Sequence, residues 1–249
     1  MEVHAHTHTA RKKWTHYFWE FLMLFLAVTL GFFAENQREH YIENQREKKY
    51  IHSLVTDLKT DTAEISWVIA YNIQKFYGLD TLINQLNVDI QNDDEKSLYF
   101  LNSRYAGNIF MMIFSDGTIR QLLNSGNLRL VKSLSAVDSI MNYYGQSKDG
   151  IIKQAAVYDE MSRRLIIGAE DIFDQSVSPV QMRPDRTFYR DRQIEKMRLM
   201  THDKQVLKKY AQAVATSRGF LSVYLSMLFE MQIKANNLLT FLKKEYHLQ

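Results

Sequence analysis

The chain has 249 residues, and its 31 basic and 28 acidic side chains give a formal net charge of +3. This balance lacks the strong basic character of a nucleic-acid-binding domain. The absence of cysteine excludes disulfides, thiolate metal sites and a cysteine nucleophile. Two prolines and nine glycines are few for this length and favour long helices over many short strands. Composition therefore predicts an all-α protein without a nucleic-acid partner.

Residues 1–13 form a polar tail in which histidines alternate with other residues. In an extended chain the imidazoles of His4, His6 and His8 fall on one side, where they are suitable ligands for zinc, copper or nickel. A tail must become ordered to hold a metal, so the alternative is a solvated tail without a ligand. We predict no cofactor elsewhere in the chain.

Residues 14–34 are the one segment long and apolar enough to cross a bilayer. A helix of this length spans about 31 Å, close to the thickness of a hydrocarbon core. The competing interpretation is a signal peptide cleaved after Gly31, with Thr29 two residues before that site. We favour an uncleaved transmembrane helix, because helix-compatible sequence continues beyond it without a break.

One face of this transmembrane helix combines small and ionisable residues. It consists of His16, Glu20, Ala27, Gly31 and Ala34. The spacing of Ala27 and Gly31 allows two helices to approach closely, which predicts self-association. Two alternatives are a monomeric anchor whose Glu20 reaches the interface and a proton-responsive pair formed by His16 and Glu20.

The flanking charges favour an N-terminus in the cytoplasm. Arg11, Lys12 and Lys13 directly precede the span, although residues 35–49 carry four basic residues of their own. We give more weight to the immediate flank. The prediction is a single-pass membrane protein with its N-terminus in the cytoplasm and most of its chain on the opposite side of the membrane.

The remaining sequence predicts a polar helical stalk at residues 35–50 and a bundle domain at 51–249. In the stalk, Glu-Asn-Gln-Arg-Glu occurs at 35–39 and again at 43–47, with opposite charges three and four residues apart. From Ile51 the apolar residues follow a heptad as far as Phe76. Gly78 is expected to end this helix.

Further helices are predicted over residues 97–114, 118–124 and 134–169. A last helix, expected to be capped by Thr201, carries the cleanest apolar stripe of the chain. Apolar residues spaced alternately three and four apart indicate helices packed along much of their length. The predicted fold is an elongated antiparallel helical bundle that follows the transmembrane helix and the stalk.

Both prolines lie in a loop at residues 175–192, together with several arginines. The basic residues of interest are Arg183, Arg186, Arg190 and Arg192. Guanidinium groups interleaved with Phe188 and Tyr189 suit phosphate groups or an acidic partner. The simpler interpretation is a solvated loop held by surface ion pairs.

Two parts of the chain resemble a known group of proteins. The block from His4 to Asn36, with Arg-Lys-Lys-Trp-Thr-His-Tyr-Phe-Trp-Glu-Phe-Leu at its centre, resembles uncharacterised bacterial single-pass membrane proteins. Residues 118–131, followed by Tyr143 and Tyr144, are similar to a motif of a related helical domain of unknown function. The resemblance implies an inner-membrane helical protein without an assigned activity.

These features favour a membrane-anchored interaction or scaffold protein of the cell envelope that is not an enzyme. Its expected partners are the lipid bilayer and either another protein or further copies of the chain. The alternative is an extracytoplasmic sensor that signals through a separate membrane partner, because residues 1–13 are too few for an output domain. An enzyme is the least favoured class, since the sequence contains no phosphate loop, nucleophile elbow or zinc-protease motif.

Overall fold

The computed structural model describes residues 14–90, 94–107, 109–177, 180–182, 188–190 and 197–248. Six α-helices occupy most of the described chain, so the all-α prediction is confirmed. They are α1 (Trp14–Leu86), α2 (Asp94–Leu101), α3 (Gly117–Asn124), α4 (Leu134–Met141), α5 (Lys148–Ala169) and α6 (Lys204–Glu245).

Short irregular elements connect these helices. Two π-helical segments follow α2 and α4, at Asn102–Ala106 and Asn142–Ser147, and a 3-10 turn covers Asn127–Leu130. Strands β1 (Val180–Met182) and β2 (Phe188–Arg190) pair as an antiparallel hairpin. This hairpin lies in the segment that the sequence predicted to be a loop. That prediction is wrong, because the pairing of Gln181 with Tyr189 gives the segment regular structure.

The chain divides into two compact units, Met1–Lys49 and Tyr50–Gln249. The described part of the first unit is helical throughout, and Arg38 pairs with Glu35 at 3.0 Å on its surface. The second unit has a continuous hydrophobic core built by α1, α5 and α6 with the shorter elements. Helices α5 and α6 run antiparallel, since Gly150 lies beside Met227 and Gly168 beside Tyr210.

Helix α1 does not end at Gly78, and that prediction is wrong. The helix continues to Leu86, and the ring of Tyr105 packs against the backbone at Gly78. A Cβ at this position would lie 2.3 Å from a Tyr105 ring carbon. The glycine therefore permits a close approach between two elements and does not terminate a helix.

The helix predicted over residues 97–114 is also too long. Helical structure ends at Ala106, and residues 109–116 form an irregular segment, the buried-bond loop. Its backbone is held by side chains: Asn72 Nδ2 donates to the Phe110 carbonyl at 3.0 Å, and the Met112 amide donates to the Tyr224 hydroxyl at 2.8 Å. These bonds replace those that a helix would supply.

The C-terminal half agrees better with the sequence patterns. Residues 134–169 are helical throughout, with the π-helical segment at the position of Gly145. Helix α6 is capped by Asp203, whose carboxylate accepts from the amides of Gln205 and Val206. Thr201, the predicted cap, accepts instead from the Asp203 amide at 3.1 Å and so supports the cap indirectly.

Candidate functional site

The first candidate is the apolar start of α1. Among the described residues this is the helix long and apolar enough to span a membrane, and none of its 18-residue apolar window is buried within the protein. Its large side chains are exposed, Trp14 at 81% and Phe32 at 75%. Exposed apolar surface of this extent is unfavourable in water and marks a site of interaction.

The predicted association face lies on this exposed helix. Side chains of His16, Glu20, Ala27 and Ala34 are all exposed, and no neighbouring atom lies within 4 Å of where a Cβ on Gly31 would be. The His16 ring contacts Tyr17, with ring centroids 6.2 Å apart. The small residues of this face are thus open to a helix from another molecule.

Most of the other predicted site residues lie outside the described residues. This applies to His4, His6 and His8 and to Arg183, Arg186 and Arg192. Arg190 is the last residue of strand β2, and the structure describes its backbone. Among the described residues, no group of three or more histidine, aspartate or glutamate side chains is placed to hold a metal ion.

The interior of the second unit contains a buried lysine that the sequence patterns did not single out. Lys75 of α1 is 0% exposed, and its Nζ lies 5.2 Å from the centre of the Tyr158 ring of α5. Tyr158 stacks on Tyr224 of α6, with centroids 6.0 Å apart. Burial lowers the pKa of Lys75 to about 7, because the charged ammonium loses its hydration.

Several hydroxyl groups share this interior. The hydroxyls of Tyr71 and Tyr158 and the Oγ of Ser162 are all buried within it. Burial raises the pKa of Tyr71 and of Tyr224 to about 12, so both remain neutral at physiological pH. The lysine and tyrosines form a polar core closed to solvent.

A second buried polar cluster connects α1 to the buried-bond loop. Asp61 is 0% exposed; its carboxylate accepts from the Ser115 amide at 2.7 Å and from the Tyr143 hydroxyl at 2.8 Å. Burial raises the pKa of Asp61, while these hydrogen bonds act in the opposite direction. One carboxylate thus fixes the loop and the second π-helical segment against α1.

A third buried polar cluster is centred on the carboxylate of Glu95 in α2, which holds the segment that leads into α6. It accepts from the Leu199 amide at 3.1 Å, and His202 Nε2 lies 2.8 Å from its other oxygen. Nearby, the Tyr99 hydroxyl donates to the Arg198 carbonyl and accepts from the Asp174 amide, each at 2.9 Å. These contacts fasten both ends of the hairpin-bearing segment to the bundle.

Two adjoining depressions form a groove between the second π-helical segment and α6. The larger has a volume of about 490 Å³ and the smaller about 240 Å³, and they share Asn142 and Lys234 in their walls. Lys234 Nζ donates to Ser147 Oγ at 2.8 Å across the groove. Tyr143, which binds Asp61, lines the larger depression.

Sequence reasoning missed the buried Lys75, Asp61 and Glu95 because charged residues within amphipathic helices are ordinarily assigned to the solvent face. One signal was available, because Asn72 interrupts the apolar heptad of α1 and Lys75 follows it one turn later on the same side. Comparison with protein families, curated proteins and solved structures finds no match for this chain.

Proposed function

We propose that this chain is a membrane-anchored interaction or scaffold protein of the bacterial cell envelope, with its N-terminus in the cytoplasm and its bundle in the periplasm. The observation that carries the proposal is that none of the apolar window at the start of α1 is buried within the protein. Aromatic and aliphatic side chains without protein neighbours over this length are stable when lipid surrounds them. A core helix of a soluble protein would instead be mostly buried.

The second unit supports a binding role in preference to catalysis. Its most perturbed amine, Lys75, is enclosed by helices and cannot reach a substrate in this conformation. The buried carboxylates Asp61 and Glu95 are engaged by backbone amides and act as structural clamps. What the unit offers to other molecules is the outer surface of its helices and the groove along α6.

A specific arrangement favours the alternative function, an extracytoplasmic sensor. A ligand in the groove would bind against the second π-helical segment, whose buried Tyr143 lies in the groove wall and donates its hydroxyl hydrogen to Asp61 of α1. A change in the groove would therefore act on α1 through one hydrogen bond. Single-turn π-helical segments are frequent at functional sites, which agrees with this assignment.

The anchor and its orientation can be tested together, because the chain has no cysteine of its own. Ala156→Cys introduces an exposed thiol on α5, and Thr9→Cys introduces one in the N-terminal tail. Intact cells are treated with a thiol reagent that cannot cross the inner membrane. We expect labelling of Ala156→Cys before lysis and of Thr9→Cys after lysis, with both in the membrane pellet.

The opposite labelling pattern would refute the orientation. Recovery of the protein in the soluble fraction, with the Thr9→Cys thiol lost from the mature chain, would show a cleaved signal peptide and refute the anchor. Ser217→Cys is the matched control, because Ser217 is buried and its thiol should react after denaturation.

A further inference from the structure

The outer face of α1 in the second unit is almost free of charge. Every residue from Thr56 to Asn84 is described, and of the eleven exposed positions in this stretch one, Lys59, is charged. The others are small, polar or aromatic, and they include Trp67 at 46% exposure and Tyr77 at 65%. Soluble domains ordinarily place charged residues at about a quarter to a third of surface positions.

The outer face of α6 has the same character. In the fully described stretch from Gln212 to Thr240, two of thirteen exposed positions are charged, Glu230 and Lys234. Both line the groove beside the second π-helical segment. The rest of this face contains Phe229 at 44% and Ile233 at 61% exposure among small residues.

Helix α5 provides the comparison within the same unit. Between Ile152 and Ile167, where every residue is described, four of nine exposed positions are charged. Two of the arginines pair with acids on the same helix, Arg163 with Asp159 and Arg164 with Glu160. The low charge is therefore a property of α1 and α6 and not of the helices in general.

The two charge-poor faces adjoin. Gln232 Nε2 of α6 donates to Ser66 Oγ of α1 at 2.8 Å, and farther along the same helices Arg218 pairs with Asp80. Both contacts join α1 to α6, so the helices run antiparallel side by side. Ser226 and Phe229 precede Gln232 on α6, while Ala70 follows Ser66 by one turn on α1.

We infer that this shared face, the α1–α6 face, is where a second copy of the chain binds. A strip that covers α6 from Gly219 to Thr240 and the adjoining part of α1 is about 32 Å long and about 20 Å wide. Its area of roughly 600 Å² approaches the ~800 Å² per partner of a specific interface. This inference rests on the proposed anchor, which holds both copies in one membrane.

Charge and side-chain size both favour a second copy over an unrelated partner. In a two-fold interface both copies present the same face, so a charge close to the axis meets its own counterpart and is repelled, whereas a charge-poor face meets little such repulsion. Small residues such as Ala63, Ala70 and Ser226 let two helices approach closely. Trp67 and Phe229 add aromatic area of the kind enriched at interfaces.

The test is cysteine crosslinking of the full chain in native membranes. Ala70→Cys and Ser226→Cys place single thiols on the α1–α6 face, and Ala156→Cys on α5 is the matched exposed control. A short bismaleimide should link two copies at the first two positions and leave the control monomeric. Adding Ser226→Arg to Ala70→Cys should reduce the crosslinked fraction about tenfold, as expected for a loss of ~1.4 kcal/mol.

Equal crosslinking at all three positions, or none at the two face positions, would overturn the inference. A crosslinked product whose mass differs from twice that of the chain would also overturn it and would indicate a different protein. Recovery in the membrane pellet is scored in the same samples. Pelleted but uncrosslinked protein refutes this interface alone, whereas crosslinked protein in the soluble fraction refutes the anchor.

Discussion

Replacing Lys75 with methionine should stabilise the second unit at neutral pH and change how its stability depends on pH. The pKa of Lys75 is lowered from 10.5 to about 7 by burial, a difference that corresponds to about 5 kcal/mol at most. The centre of the Tyr158 ring lies 5.2 Å from Lys75 Nζ, and the cation–π attraction offsets about 2 kcal/mol of this cost. Desolvation is the larger effect, so Lys75→Met should raise the free energy of unfolding at acidic pH, by no more than about 3 kcal/mol.

The sign of the pH dependence follows from the direction of the shift. Between pH 7 and pH 10.5 the unfolded chain keeps the Lys75 proton and the folded chain loses it, so stability rises with pH in this window. The wild type should gain roughly 2 kcal/mol between about pH 7 and pH 9 relative to Lys75→Met. The advantage of the variant should therefore shrink as the pH rises.

The assay is guanidinium unfolding of the full chain in detergent, followed by the helical circular dichroism signal at each pH. Lys153→Met, at an exposed position on α5, is the control and should follow the wild type throughout. Parallel pH profiles for the wild type and Lys75→Met would refute the argument, because they would show that Lys75 does not titrate in this window.

Three other substitutions test separate parts of the structure. Gly78→Ala should destabilise the second unit by about 1–3 kcal/mol in the same assay, because its Cβ would overlap the Tyr105 ring; an unchanged midpoint would contradict this packing. Asp61→Asn should cost about 1–3 kcal/mol by losing an acceptor for Tyr143 or Ser115, and hydrogen exchange at the Ser115 amide should accelerate; unaltered exchange would exclude the clamp. Gly31→Leu should weaken self-association of the transmembrane segment in a membrane reporter assay, and undiminished association would remove this face from the interface.

The helical class and the long helices could be predicted from sequence because the apolar residues keep a helical period over many turns. Helices α5 and α6 illustrate this, since their buried positions follow the predicted stripes. The glycine at 78 misled the prediction, because the same residue serves to end a helix or to admit a neighbour. The choice depends on Tyr105, which lies 27 positions away in the chain.

The buried-bond loop shows why other features were beyond sequence reasoning. Its apolar residues suggest a helix, yet Asn72, Asp61 and Tyr224 provide partners for its backbone from three distant positions. These hydrogen bonds form when the tertiary structure brings distant residues together, so no pattern in the local sequence predicts them. The burial of Glu95 is hidden for the same reason, because its partners Leu199 and His202 lie 104 and 107 positions away in the chain.

The anchoring of that loop also sets which genetic changes the chain can accept. Its carbonyl at Phe110 and its amides at Met112 and Ser115 meet fixed partners, so inserting or deleting one residue would misalign at least one of the three bonds. Met111 and Ile113 between them are exposed and have room for other side chains. Natural variation should thus change the side chains at positions 111 and 113 freely while the length of the segment stays constant.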